Sequence, residues 1–274
     1  MGHLQKIFDY YIELSVHVAL AVVSISLITG ILLNIPMPKE LVLFIFFGSI
    51  ASYIFVKNGL AIARFKFLDA GYPSHHIILG IMAGVISIIF GMMLPQRSWT
   101  VLLFLLILIL LYTFPITNRY KNLRSLGILK VIIVAISWTT VAVYLPAVLD
   151  GMVWGWDLNI FALQYFLLVI ALIIPFEIRD MRFDPPDIRT IPRKIGVHGT
   201  KQLGILLMIF STMLLFFRDD ISNLEIVARA ILLIAVCIFI WKTPVKKSKY
   251  YASFWIEAIP IFWLGIIWGL KNLI

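Results

Sequence analysis

Three aspartates, Asp180, Asp184 and Asp187, stand among five cations, Arg179, Arg182, Arg189, Arg193 and Lys194, in the stretch FEIRDMRFDPPDIRTIPRKIGVHG from Phe176 to Gly199. If the apolar helix that ends near Phe176 continues for two more turns, Asp180 and Asp184 fall at i and i+4 on one face, before Pro185 and Pro186 stop it. Two carboxylates at that spacing repel each other unless a positive charge sits between them. Oxygen ligands without histidine suit Mg²⁺, which binds through a few carboxylates plus substrate phosphates, and the surrounding guanidinium groups suit a diphosphate. The competing reading is electrostatic housekeeping: acids and bases of a loop that neutralise each other at a membrane surface.

The elements that must position this stretch are apolar. The 274 residues are 62% hydrophobic and 14% charged with a mean hydropathy of +1.01, a composition of polytopic membrane proteins and not of soluble domains. Nine candidate spans follow, at roughly 12–33, 40–57, 77–95, 99–116, 127–149, 158–176, 203–217, 226–241 and 252–270, each close to the length that crosses about 30 Å of hydrocarbon. The polar turn RDDISN separates the seventh from the eighth. With nine spans, 18 of the 23 Lys and Arg residues fall on one side, and five (Lys39, Arg97, Arg218, Arg229 and Lys271) on the other. That bias places the N-terminus and the basic loops in the cytoplasm and the C-terminus opposite, in an integral membrane protein best suited to a bacterial inner membrane. The expected fold is all-α, one domain over residues 1–274. No small-residue cleavage site follows the amphipathic start, so the first span reads as retained and the mature chain as starting near Met1. The net charge of +9 is explained by anionic membrane lipid rather than nucleic acid, and a lone Cys237 excludes an internal disulfide.

The segment IRDMRFDPPDIRTIPRKIG resembles the second aspartate-rich motif, and the Arg-Thr-x-Pro turn after it, of the UbiA superfamily of intramembrane prenyltransferases. LYTFPITNRYKNLRSLG, from Leu111 to Gly127, is similar to that family's exit from helix four and its basic turn into helix five. The resemblance implies a nine-helix UbiA-like bundle and transfer of an isoprenoid group from its diphosphate to an aromatic or other lipid-soluble acceptor. It implies that Asp180 and Asp184 hold Mg²⁺ with Asp187 beside them, and that Arg119, Lys121 and Arg189 approach the diphosphate. The family's first motif departs: with its Asn on Asn58, taken as a diphosphate contact, Ile62 and Lys66 stand where two aspartates belong. One metal site is expected instead of two, with Lys66, Lys57 and Arg64 supplying the missing positive charge as a catalytic substitute. The alternative is an inactive isoprenoid- or lipid-binding protein that serves as the protein partner of a biosynthetic complex.

Outside these motifs, Glu13 and His17 are spaced as a locally satisfied i, i+4 pair at the start of span one. Glu257 lies inside span nine, a candidate for lining a pocket, with Lys249 or another basic-loop cation as partner. His75 and His76 read as capping and interfacial residues, and the Trp and Tyr residues of GMVWGWD and KYYASFW as interfacial belts.

Overall fold

The computed structural model describes residues 3–63, 74–114, 127–182, 188–244 and 250–272. Among them the secondary structure is helical throughout: α1 (His3–Glu13), α2 (Val16–Leu32), α3 (Lys39–Ala63), α4 (Ser74–Met92), α5 (Trp99–Thr113), α6 (Ile128–Thr139), α7 (Leu145–Asp150), α8 (Trp156–Asp180), α9 (Ile191–Met213), α10 (Asn223–Trp241) and α11 (Glu257–Lys271). Eight helical stretches are long and apolar enough to cross a membrane, and the bent pair α1–α2 makes up to nine. The nine-span expectation therefore matches, and the chain is an integral membrane protein.

The boundaries differ where polar residues are helical. Span one does not begin at residue 12: Ser15 is left-handed (φ 63°), and α1 meets α2 at 57°. Glu13 and His17 consequently sit on different helices and do not form the expected i, i+4 pair. Span seven starts at Ile191, well before 203, because Pro192 occupies the first turn, where a missing N–H costs nothing, and Gly196 (φ 72°) absorbs the kink that follows. Two spans contain π-helical turns, Thr140–Tyr144 between α6 and α7 and Tyr251–Ile256 leading into α11.

Helix α8 is the axis of the bundle. Its Phe161, Tyr165, Leu168, Ala171 and Ile174 form the core with Ile25 and Ile28 of α2, Val236 and Ile240 of α10, and Trp263 and Ile267 of α11. Lipid offers no hydrophobic drive between helices, so small residues that admit close contact decide the packing. Gly80 faces Ile54 and Gly84 faces Ala51 between α3 and α4, and Gly204 of α9 lies against Ile174 and Ile240.

At one end of the bundle, Lys201 donates to the carbonyls of Trp241 and Thr243 at the close of α10 (2.8 and 2.7 Å), while Arg193 donates to those of Ile188 and Met181 (3.0 and 3.2 Å). At the other end a charged cluster is buried. Both carboxylate oxygens of Glu225 accept from the single nitrogen Arg218 Nη1 (2.7 and 2.9 Å), and Glu225 Oε1 lies 3.5 Å from Arg229 Nη2. Arg229 also donates to Gln164 Oε1 at 3.0 Å and sits over the rings of Phe161, Tyr165 and Trp263.

Gly127 opens α6 in a conformation closed to side chains (φ 59°, ψ −114°), and a Cβ there would collide with the backbone carbonyl of Arg189. A Cβ on Gly196 would meet nothing within 4 Å. Gly127→Ala is therefore expected to lower the melting temperature in detergent clearly more than Gly196→Ala, whose cost is backbone strain alone, on the order of 1–3 kcal/mol. Equal shifts would show that the Arg189 contact is soft.

Candidate functional site

The end of α8 carries the first residues of the cavity wall. After Pro175 the helix turns through Phe176, Glu177, Arg179 and Asp180, and all four line a cavity of about 370 Å³ at the basic end of the bundle. Arg179 lies over the Phe176 ring at 4.9 Å and its Nε donates to Asp180 Oδ1 at 2.7 Å. Across the cavity Lys130 of α6 holds Glu177 at 2.9 Å. Lys57 of α3 reaches the rim, donating to the Glu13 carbonyl and to Ser15 Oγ (3.1 and 2.7 Å), and thus braces the bend between α1 and α2.

The last span closes the cavity. A π turn is wider than an α turn and shifts the side chains that follow it, a local device common at functional sites. Here the turn Tyr251–Ile256 brings Ser253 and Glu257 to the cavity wall, so Glu257 lines the pocket as the sequence suggested. His17 anchors this turn. Its Nε2 stands 2.9 Å from the Phe254 carbonyl, which can only accept, so Nε2 carries the proton. In the neutral ring Nδ1 is then the acceptor for the Tyr11 hydroxyl at 2.8 Å. Tyr250 adds a second tie, donating to Asp9 at 2.7 Å.

Three carboxylates (Glu177, Asp180, Glu257) and three cations (Lys57, Lys130, Arg179) thus face one cavity, together with Tyr53, Tyr112 and Trp138. A diphosphate would add negative charge beside these acids, which a metal ion or further basic residues would offset.

Of the residues singled out in the sequence, Asp180 lines the cavity. Asn58 turns its amide onto its own helix, donating to the Ile54 carbonyl at 2.8 Å, while its neighbour Lys57 lines the cavity. Arg189 is exposed, and its backbone packs on Gly127. Asp184, Asp187, Ile62, Arg64, Lys66, Arg119, Lys121 and Lys249 lie outside the residues whose side chains the structure describes. The His75 and His76 rings lie tilted against each other at 4.1 Å, and both lie near Tyr10. Sequence reasoning missed the Lys130–Glu177 pair; its only signal was an acid placed one residue past an apolar run.

Among the described residues no three His, Cys, Asp or Glu side chains gather as a metal site. Asp180 nonetheless presents an oxygen ligand to the cavity, and Mg²⁺ needs only one or two carboxylates when phosphate oxygens complete its shell. The donor chemistry therefore fits that ion.

A second cavity, of about 590 Å³, adjoins the first and is almost wholly apolar. Phe44, Gly48 and Ala51 of α3, Gly84 and Ile88 of α4, and Leu102 and Leu106 of α5 line it. Tyr53 and Trp138 belong to both cavities, and Trp138 Nε1 donates to the Tyr53 hydroxyl at 3.0 Å.

Solved structures share this architecture. A UbiA homolog from Archaeoglobus fulgidus bound to DMAPP and Mg²⁺ superposes with a TM-score of 0.66 over 97% of this chain and 99% of its own, at 14% identity. The chain has a UbiA-like fold. A UbiA homolog from Archaeoglobus fulgidus bound to GPP and Mg²⁺ gives a TM-score of 0.64 at 12% identity, covering 96% of this chain and 99% of that one. A digeranylgeranylglyceryl phosphate synthase gives 0.57 at 13% identity, covering 96% of each chain. No family model matches the sequence, and no curated protein is significantly similar to it. UbiA-like architecture is thus retained here with little of the sequence of those proteins.

Proposed function

We propose that this protein is an intramembrane prenyltransferase, moving an isoprenoid group from its diphosphate to an aromatic or other lipid-soluble acceptor. The observation that carries this reading is one cavity combining Asp180 with Lys57, Lys130 and Arg179, joined to an apolar cavity of hydrocarbon character. The solved proteins with DMAPP or GPP and Mg²⁺ support the substrate class.

In the proposed reaction the carbon–oxygen bond to the diphosphate breaks and its electron pair leaves with the oxygen. The acceptor's nucleophilic atom bonds to the allylic carbon and releases its proton. Lys57, Lys130 and Arg179 stabilise the departing negative charge in a site poor in water, where such charges act more strongly. The aromatic faces of Tyr53, Trp138 and Phe176 offer favourable surroundings to cationic character at carbon. Mg²⁺, when bound, would neutralise the diphosphate, with Asp180 and then Asp184 and Asp187 as its proposed holders. Lys66, Arg119, Lys121 and Arg189 are proposed to complete the diphosphate's surroundings from the segments between helices, with Asn58 reaching it from α3 once its amide leaves the Ile54 carbonyl, and with the basic end in the cytoplasm.

A non-catalytic isoprenoid or lipid binder in a biosynthetic complex is the second reading. It is favoured by the ion pairs that engage Glu177 with Lys130 and Asp180 with Arg179. Incubating the purified protein with isoprenoid diphosphates of several lengths, Mg²⁺ and host lipid extract decides between them. A prenyltransferase releases diphosphate together with a prenylated lipid; a binder retains the isoprenoid and releases none.

A further inference from the structure

We infer that the hydrogen-bonded pair Tyr53–Trp138 is a gate that sets the length of isoprenoid tail this protein accepts, an inference that rests on the substrate class proposed above. The polar cavity and the apolar cavity meet at these two side chains and share both as walls. Tyr53 stands one helical turn from Lys57 on α3, so a diphosphate held among the cavity's cations would direct its tail toward the pair. With the indole N–H bonded to the phenol oxygen at 3.0 Å, a short tail ends against the two rings. A longer tail enters the second cavity only when that bond opens.

The flanking structure suits a movable partition. Trp138 lies next to last in α6, immediately before the π turn Thr140–Tyr144, where backbone hydrogen bonding is looser than in an α-helix. Beyond the pair, the apolar cavity is bordered by Ile88, Met92, Leu103 and Leu106, all large side chains exposed on the outer surface of α4 and α5, which in a membrane faces lipid. The passage therefore leads out sideways into hydrocarbon and, among the described residues, meets no second stop. Small residues at Gly48, Gly84 and Ser87 keep it open. The gate consequently discriminates at one length, and tails that pass it are treated alike.

The test is direct binding of dimethylallyl, geranyl, farnesyl and geranylgeranyl diphosphate to the purified protein with Mg²⁺ in detergent. The wild type is expected to hold the short ligands more tightly than the long ones. Tyr53→Phe removes the hydrogen-bond acceptor with little change in shape, and Trp138→Ala removes the partition. Both are expected to raise affinity for farnesyl and geranylgeranyl diphosphate relative to dimethylallyl diphosphate, by roughly tenfold for Trp138→Ala, the scale of burying two further methylenes. Ser49→Phe, which narrows the second cavity, should cancel that gain in the Trp138→Ala background. If the variants bind dimethylallyl diphosphate but keep the wild-type order of lengths, the gate is overturned and the substrate reading stands. If the wild type binds none of the four ligands, the substrate reading falls and takes the gate with it.

Discussion

Asp180→Asn is expected to reduce diphosphate release by at least about 100-fold, the order of loss seen when one preorganised electrostatic partner of a reacting group is removed. Asn preserves the volume and one oxygen but loses the charge, so the proposed metal ion loses an anionic ligand and Arg179 loses its counter-charge at 2.7 Å. The side chain is about one-third exposed to the cavity, so the pair itself contributes little to folding. Thermal stability should stay close to that of the wild type while Mg²⁺ dependence disappears with turnover. Asp150→Asn, at an exposed site closing α7, serves as the control carboxylate. Undiminished release in Asp180→Asn, at unchanged Mg²⁺ dependence, would remove this residue from the site and with it the motif on which the functional reading began.

The largest effect on stability is expected at Glu225. It is the only acidic group within 4.0 Å of the Arg218 and Arg229 side chains among the described residues, and all three are buried. Glu225→Gln keeps the shape and leaves two guanidinium groups without a counter-charge; breaking a buried pair in this way costs about 3–5 kcal/mol. The cluster is already short of acceptors, since Arg218 Nε, Arg229 Nε and Gln164 Nε2 are buried without partners. A triple replacement by apolar residues of similar volume should recover most of the loss, because the unfavourable state is an orphaned charge and not a missing attraction. The measurement is the melting temperature in detergent for the single, double and triple variants. A drop of only a degree or two in Glu225→Gln would mean that water reaches the cluster.

The number of spans was legible because apolar length sums along a chain. It marked nine candidate spans, against eight helices and the bent pair α1–α2 among the described residues, and RDDISN marked a real turn between Phe217 and Asn223. Local polarity misled at the edges: IPRKIG reads as loop, yet it is the start of α9, and no Gly or Pro announced the left-handed Ser15. The site was legible only in part. Asp180 and Glu257 stood out as acids at or within apolar runs, and both line the cavity. Lys130 and Glu177 are 47 positions apart, and Tyr53 and Trp138 are 85 apart; nothing in either local pattern signals its partner. Arg229 was counted simply as a charge on the sparsely basic side, whereas it is packed among three aromatic rings.

The bond from His17 to the Phe254 carbonyl joins the second helix to the turn that opens the last, and Tyr250 reaches Asp9 beside it. Ile12 and Val18 from the first two helices share a wall with Ser253, Glu257 and Pro260 from the final span. During synthesis the chamber stays open until the ribosome has delivered the final crossing, and any premature stop yields a bundle with a missing side. The earliest helices must wait in the bilayer for their counterpart, so the chamber gains its last wall only with that late event.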